Sequence, residues 1–215
     1  EIGYMFGQYK RLKNEWTGVL TGKGLSYGGS IGRTSATGYG LCYFANKMLN
    51  VMKNTSLEGK KVIVSGSGNV GLYAAKKAKE LGATVIAMND ISCYIYNPNG
   101  INLDIVQEIK EAKRGLLTEY INYDKNIELH ENPKDMWKVK CDVALPCATQ
   151  NEIDLDDPKA LVAGGVIAVC EGANMPCTLD ATNYLIDNKI CFAPAKAANA
   201  GGVMVSGFEM SQNSM

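Results

Sequence analysis

Residues Lys61 to Gly71 read Lys-Val-Ile-Val-Ser-Gly-Ser-Gly-Asn-Val-Gly. The β-branched run Val62 to Val64 leads straight into a complete G-x-G-x-x-G, and a helical pattern follows. In that arrangement Gly66 permits the tight turn out of a strand, Gly68 lets the backbone approach a pyrophosphate, and Gly71 allows the new helix to pack closely on the sheet. Three glycines at this spacing also occur in ordinary turns and in mononucleotide folds, so the flanking sequence decides. Val70, Ala74, Ala78 and Leu81 recur with a helical period, with Lys76, Lys77, Lys79 and Glu80 on other faces. Gly82 stands where a C-terminal cap belongs. Ala83 to Met88 reads as a second strand, ending at Asn89-Asp90 about 20 residues beyond the glycines. Strand, turn, helix, strand and acid follow in the order that a dinucleotide site requires.

Working outward, residues 1 to 13 read as a helix. Residues 14 to 33 read as a loop, because Gly18, Gly22, Gly24, Gly28, Gly29 and Gly32 are too dense for regular structure. Thr34 or Ser35 is placed to cap the next helix, whose stripe Leu41, Phe44, Ala45, Met48, Leu49 and Met52 suits packing. Downstream, Asn97 to Gly100 is a turn and Asp104 to Arg114 a charged helix ended by Gly115, with Lys110 to Arg114 as a solvated face. Asp142 to Leu145, Val166 to Val169 and Lys189 to Phe192 read as further strands. Strands alternating with helices predict an α/β fold: a Rossmann-like, doubly wound, mostly parallel sheet with helices on both faces.

In such a sheet a ligand lies beyond the carboxyl ends of the strands. The segments there are 65–70, 89–92, 146–150, 171–176 and 193–202, rich in small and amide residues. Tight loops account for the glycines and alanines equally well, but less well for Asn174 and Asn199. The single histidine, His130, has no metal-ligand spacing around it and reads as a surface residue. No Ser/His/Asp set and no zinc cluster is evident, so no metal is expected.

With 22 basic and 22 acidic side chains the formal charge is zero, which gives no electrostatic case for nucleic acid or an anionic membrane. Seven cysteines without a C-x-x-C lie mostly in or beside apolar runs, as buried thiols of a reducing compartment do. No apolar stretch reaches the roughly 18 residues that span a bilayer, and no signal-peptide pattern opens the chain. The expectation is a soluble, cytoplasmic protein, with an organelle left open. The chain opens inside an amphipathic pattern without a methionine and stops without a capping signal, which predicts a piece of a longer polypeptide.

Five longer motifs complete the reading: Thr21 to Ser30 (TGKGLSYGGS), Gly32 to Gly40 (GRTSATGYG), Pro146 to Asn151 (PCATQN), Glu171 to Pro176 (EGANMP) and Lys196 to Asn213 (KAANAGGVMVSGFEMSQN). In these the chain resembles hexameric glutamate dehydrogenases from end to end. The resemblance implies reversible NAD(P)-dependent oxidative deamination of L-glutamate to 2-oxoglutarate and ammonia, in a homohexamer. It makes residues 1–29 the end of a substrate domain with its connecting segment. Residues 30–215 become the coenzyme domain, ending in the first turns of a pivot helix. The family's catalytic lysine and aspartate would then lie upstream of Glu1, leaving no catalytic residue in this chain.

The resemblance places Ser67, Gly68, Asn69 and Val70 along the pyrophosphate, Asp90 by the adenosine ribose, and Ala148 and Thr149 by the adenine. Thr37, Asn174 and Asn199 would orient nicotinamide or substrate, and Arg33, Val203 and Ser206 would form the substrate pocket. A carboxylate taken from water needs charge-assisted partners such as Arg33 and Ser206, whereas relatives acting on apolar amino acids place apolar residues there. On general grounds Asp90 favours NAD, because an acid accepts from a ribose 2′-OH and repels a 2′-phosphate. The resemblance leans to NADP, because Asn89-Asp-Ile-Ser92 partly matches the Ser-Asp-Ser of NADP-linked members. A non-catalytic nucleotide-binding or assembly module on the same fold is the alternative; a methyltransferase leaves Lys196 to Asn213 unexplained.

Overall fold

The computed structural model describes residues 1–16 and 18–214. Thr17, in the expected loop, and Met215, in the expected terminal segment, lie outside the described residues. Among the described residues one seven-stranded sheet carries the molecule, in the order β4 (Glu128–His130), β3 (Tyr94–Tyr96), β2 (Thr84–Asn89), β1 (Lys61–Ser65), β5 (Val143–Pro146), β6 (Ala168–Cys170) and β7 (Cys191–Ala193). Its parallel part consists of β1 (Lys61–Ser65), β2 (Thr84–Asn89), β5 (Val143–Pro146), β6 (Ala168–Cys170) and β7 (Cys191–Ala193). From β1 the chain winds one way to β2 and later the other way through β5, β6 and β7. The reversal falls between β1 and β5, the position where open α/β sheets bind ligands.

The strand pleat divides the core. Val62 and Val64 point into one apolar cluster with the helices α2 (Arg33–Lys53) and α3 (Asn69–Glu80). Ile63 points into the other with α5 (Asp156–Ala163), α6 (Leu179–Asp187) and the short turn helix Pro133–Lys138. This is the alternation of a strand buried on both faces. A bulge after Val62, where Val62 opposes Val85 and Ile63 opposes Ala87, turns Ile86 and Ala87 into the second cluster together.

Two strands beyond the parallel set were not expected from the pattern. β3 (Tyr94–Tyr96) pairs antiparallel with β2, and β4 (Glu128–His130) antiparallel with β3. Asp90 makes the reversal: its Oδ1 accepts from the Ser92 N–H at 2.8 Å, a side-chain turn, while its own N–H donates to the Cys93 carbonyl. His130 is therefore an edge-strand residue stacked on Tyr94, with ring centroids 4.4 Å apart.

Other expectations need correction. Gly32, not Thr34 or Ser35, caps α2. Phe44 and Met52 on α2 are exposed, because the helix buries a narrower stripe of Leu41, Ala45, Met48 and Leu49. Lys77 on α3 is buried: its stem packs between helices and its ammonium lies 4.2 Å over the Tyr39 ring. The charged helix is α4 (Leu103–Gln107) continued by one π-helical turn, Glu108–Ala112. That turn swings Lys110 off the expected solvated face and inward to Asp90.

The first residues are fixed to the last helix. The first helix, α1 (Ile2–Lys13), is followed by a loop that lies on α8 (Ala200–Asn213). There Lys23 Nζ and Glu209 Oε1 pair at 2.8 Å with both side chains fully buried, and Glu209 also accepts the Gly22 and Lys23 N–H groups. Among the described residues no helix is long and apolar enough to cross a membrane.

Candidate functional site

The glycine loop sits at the switch point. Gly66 has φ +74°, and a Cβ there would fall 2.9 Å from Ala148 Cα, so only glycine fits between the ends of β1 and β5. A Cβ on Gly71 would fall 1.8 Å from the Gly66 carbonyl oxygen, so its absence lets α3 start directly on the turn. Among the described residues no heavy atom beyond Gly68's chain neighbours lies within 4 Å of its Cβ position, which leaves that face open. Asn89 Oδ1 accepts the Gly66 N–H at 2.7 Å, and its Nδ2 donates to the Pro133 carbonyl, so β2 holds the loop from beneath.

A cavity of about 670 Å³ opens at this loop, lined by Gly66 to Val70, Asn89 to Ile91, and Cys147 to Thr149. Ser67 Oγ is buried there and, among the described residues, has no hydrogen-bond partner. A buried hydroxyl left unpaired costs free energy, so a ligand oxygen fits beside it. With the open face at Gly68 and the start of α3, the loop suits a pyrophosphate. These features fit the residue types to a dinucleotide.

Asp90 differs from its expected part. Its Oδ1 accepts from Ser92 N–H at 2.8 Å and Ser92 Oγ at 2.5 Å; its Oδ2 accepts from Lys110 Nζ at 2.9 Å and Leu117 N–H at 2.8 Å. Burial pushes this carboxyl up, but those four donors outweigh burial and hold it below the usual carboxylate range. Asp90 lines the cavity, yet its acceptors are already committed to the protein. Lys110 and Lys134 line the same end, and Lys134 also pairs with Asp154.

A second cavity of about 660 Å³ adjoins the first through Val70, Cys147, Ala148 and Thr149, which line both. Into it face Arg33, Thr37, Asn174, Asn199, Val203 and Ser206. Arg33 Nε donates to Ser206 Oγ at 2.9 Å, joining α2 to α8. Asn199 Nδ2 donates to Asn174 Oδ1 at 2.8 Å and to the Gly172 carbonyl at 3.3 Å. Among the described residues Arg33 and Lys196 are the charged members of this lining, with no carboxylate and no imidazole beside them. All thirteen residues named from sequence thus lie along one continuous cleft: Ser67, Gly68, Asn69 and Asp90 at one end, Arg33, Thr37, Asn174, Asn199, Val203 and Ser206 at the other, Val70, Ala148 and Thr149 between.

Sequence reading missed Lys110, Lys134, Cys147, Glu152 and Lys196. Glu152 Oε1 accepts the Ala148 N–H at 3.0 Å and the Thr149 N–H at 3.4 Å, fixing the middle of the cleft. Burial raises its carboxyl above the ordinary value against those bonds and one from Ser65. No short-range pattern marks such residues; only Cys147, within PCATQN, and Lys196, the first residue of KAANAGGVMVSGFEMSQN, lay in motifs already singled out. Burial likewise raises the Cys147 thiol well above its ordinary value, so it packs as an apolar group. Among the described residues no group of His, Cys, Asp or Glu is placed to hold a metal ion.

Comparison with known proteins fits this geometry. The family model for Glutamate/Leucine/Phenylalanine/Valine dehydrogenase matches residues 28–215. The chain belongs to this dehydrogenase family. It is 50% identical over 217 residues to an NAD(P)-specific glutamate dehydrogenase of Xylanibacter ruminicola, covering 100% of this chain and 48% of that protein. It is 50% identical over 219 residues to an NADP-specific glutamate dehydrogenase of Helicobacter pylori, covering 99% and 49%. The crystal structure of Plasmodium falciparum glutamate dehydrogenase superposes with a TM-score of 0.92 at 46% identity, covering 99% of this chain and 46% of that one. The chain therefore spans about half the length of the dehydrogenases it matches.

Proposed function

We propose that this chain is the coenzyme-binding part of a glutamate dehydrogenase, which interconverts L-glutamate with 2-oxoglutarate and ammonia. The observation that carries the reading is the continuous cleft. A phosphate-ready glycine loop stands at one end, and a site with Arg33 and Lys196 but no acid stands at the other. A dicarboxylate such as glutamate or 2-oxoglutarate suits the second end, because a buried carboxylate needs charge-assisted donors of the Arg33 and Ser206 kind. The relatives' dehydrogenase names support the same reading.

A nicotinamide cofactor, when bound, supplies the hydride acceptor. The chain's own residues bind and orient it: Ser67 to Val70 at the pyrophosphate, Ala148 and Thr149 at the adenine side, Thr37, Asn174 and Asn199 at the nicotinamide. Arg33, Val203 and Ser206 hold the substrate side chain. NADP is the favoured form. Asp90 is occupied by four donors, so it is a poor acceptor for a ribose 2′-OH, and Lys110 and Lys134 offer cations to a 2′-phosphate. The acid and base groups are assigned to a facing domain, so this chain alone binds cofactor without turnover. On this reading residues 1–29 close the substrate domain, residues 30–215 form the coenzyme domain, and the complete enzyme is a cytoplasmic homohexamer.

Steady-state deamination of glutamate by the full-length enzyme, with NADP and NAD in parallel, tests the reading. NADP-preferring turnover is expected. Cofactor binding without any turnover would favour the non-catalytic module, and a clear NAD preference would contradict the assignment at Asp90.

A further inference from the structure

Glu171 directly follows β6 and is buried, and among the described residues no lysine or arginine pairs with it. A buried carboxylate without a cation is costly unless donors surround it. The donors are two backbone groups from distant segments. Oε1 accepts the Cys177 N–H at 3.1 Å, and Oε2 accepts the Ala195 N–H at 2.8 Å. Cys177 closes the loop that follows β6. Ala195 opens the short helix α7 (Ala195–Ala198) that follows β7. One carboxylate therefore pins both segments that carry the facing amides, Asn174 in the first and Asn199 at the end of α7. The first loop also contains Met175 at φ +51°, a left-handed conformation that a side-chain-bearing residue keeps only when its surroundings hold it.

We infer that Glu171 is a positioning residue: its bridge between Cys177 and Ala195 sets the spacing of the Asn174–Asn199 amide pair, and so seats the nicotinamide half of the cofactor. The inference rests on the reading that this end of the cleft takes the nicotinamide. Glu171→Gln keeps the shape but turns an amide N–H₂ toward a backbone N–H, breaking one of the two bonds. Ala195→Pro removes the opposite partner and leaves the carboxylate in place. Proline is tolerated at the first position of a helix, and Pro194 already has the extended backbone that a following proline requires.

Saturation-transfer NMR on the chain with NADP reads the two halves of one ligand separately. In the parent chain, adenine and nicotinamide protons both receive saturation. In each variant the nicotinamide signals are lost while the adenine signals persist in a chain that stays folded, with a thermal midpoint lowered by the lost hydrogen bond. Retention of both signals in the variants would overturn the role of Glu171 and leave the functional reading intact. Equal loss of both halves in both variants would mark Glu171 as general scaffold and also overturn it. Adenine contact alone in the parent chain would contradict the placement of the nicotinamide, and this inference with it.

Discussion

Arg33 Nε donates to Ser206 Oγ across 2.9 Å, tying the first turn of α2 to the middle of α8 at the acid-free end of the cleft. Ser206 is buried, and its hydroxyl hydrogen is left to donate elsewhere, which suits a substrate carboxylate held by the same guanidinium. Ser206→Val removes that donor without changing the bulk greatly. The expected outcome is a kcat/KM for glutamate lowered about ten- to a hundred-fold in the full-length enzyme, the worth of one charge-assisted hydrogen bond. An unchanged value would remove Ser206 from the site.

The glycines of the loop separate folding from binding. Gly71→Ala drives a Cβ into the Gly66 carbonyl and is expected to lower the thermal midpoint strongly. Gly68→Ala meets no protein atom and has an ordinary φ of −77°, so its stability should match the parent. Its added methyl occupies the face assigned to the pyrophosphate, and cofactor affinity should fall. Calorimetric titration beside thermal denaturation checks both; a Gly68→Ala chain that binds cofactor normally would contradict the loop's role.

The Lys23–Glu209 pair fastens the opening segment to α8 with both side chains fully buried. Burial pushes the Glu209 carboxyl up, but Lys23 and two backbone N–H groups outweigh it and hold it low. Lys23→Met leaves that charge without its cation, at a cost of about 3–5 kcal/mol in denaturant unfolding. Replacing both partners by apolar residues should restore much of the loss.

A pH dependence follows from Asp90. Because its folded carboxyl is held below the unfolded value, its stabilisation is fully present above about pH 4 and fades as pH falls through the lower folded value. Lys110→Met removes one of the donors that depress it. The stability gap between parent and variant should be widest near neutral pH and close in acid, once Asp90 is protonated in both. A gap of constant size across the range would show that Lys110 acts by packing rather than by charge. The same variant should weaken NADP more than NAD.

The βαβ unit was legible because its signals are local: a β-branched run, three glycines, a helical stripe and a second strand lie within thirty residues. The cleft residues were legible through motifs that carry resemblance. What escaped has long-range or short-element causes. Three-residue strands such as β3 and β4 carry almost no periodicity, and β3 depends on the Asp90 turn. Lys110 looks solvated in a charge run, and only the π-helical turn brings it to Asp90. Lys77 escaped for a related reason, since aromatic rings from α2 cover it. Glu152 and Glu171 are single acids whose partners are backbone groups, which no side-chain pattern announces.

The central claim is that this cleft holds a nicotinamide dinucleotide against the glycine loop. Isothermal titration of the chain with NADP tests it most directly, with Gly68→Ala as the matched control. One dinucleotide bound per chain, with binding lost in Gly68→Ala at unchanged thermal stability, is the predicted result. Absence of binding to the folded chain, or equal binding by the variant, would contradict the account.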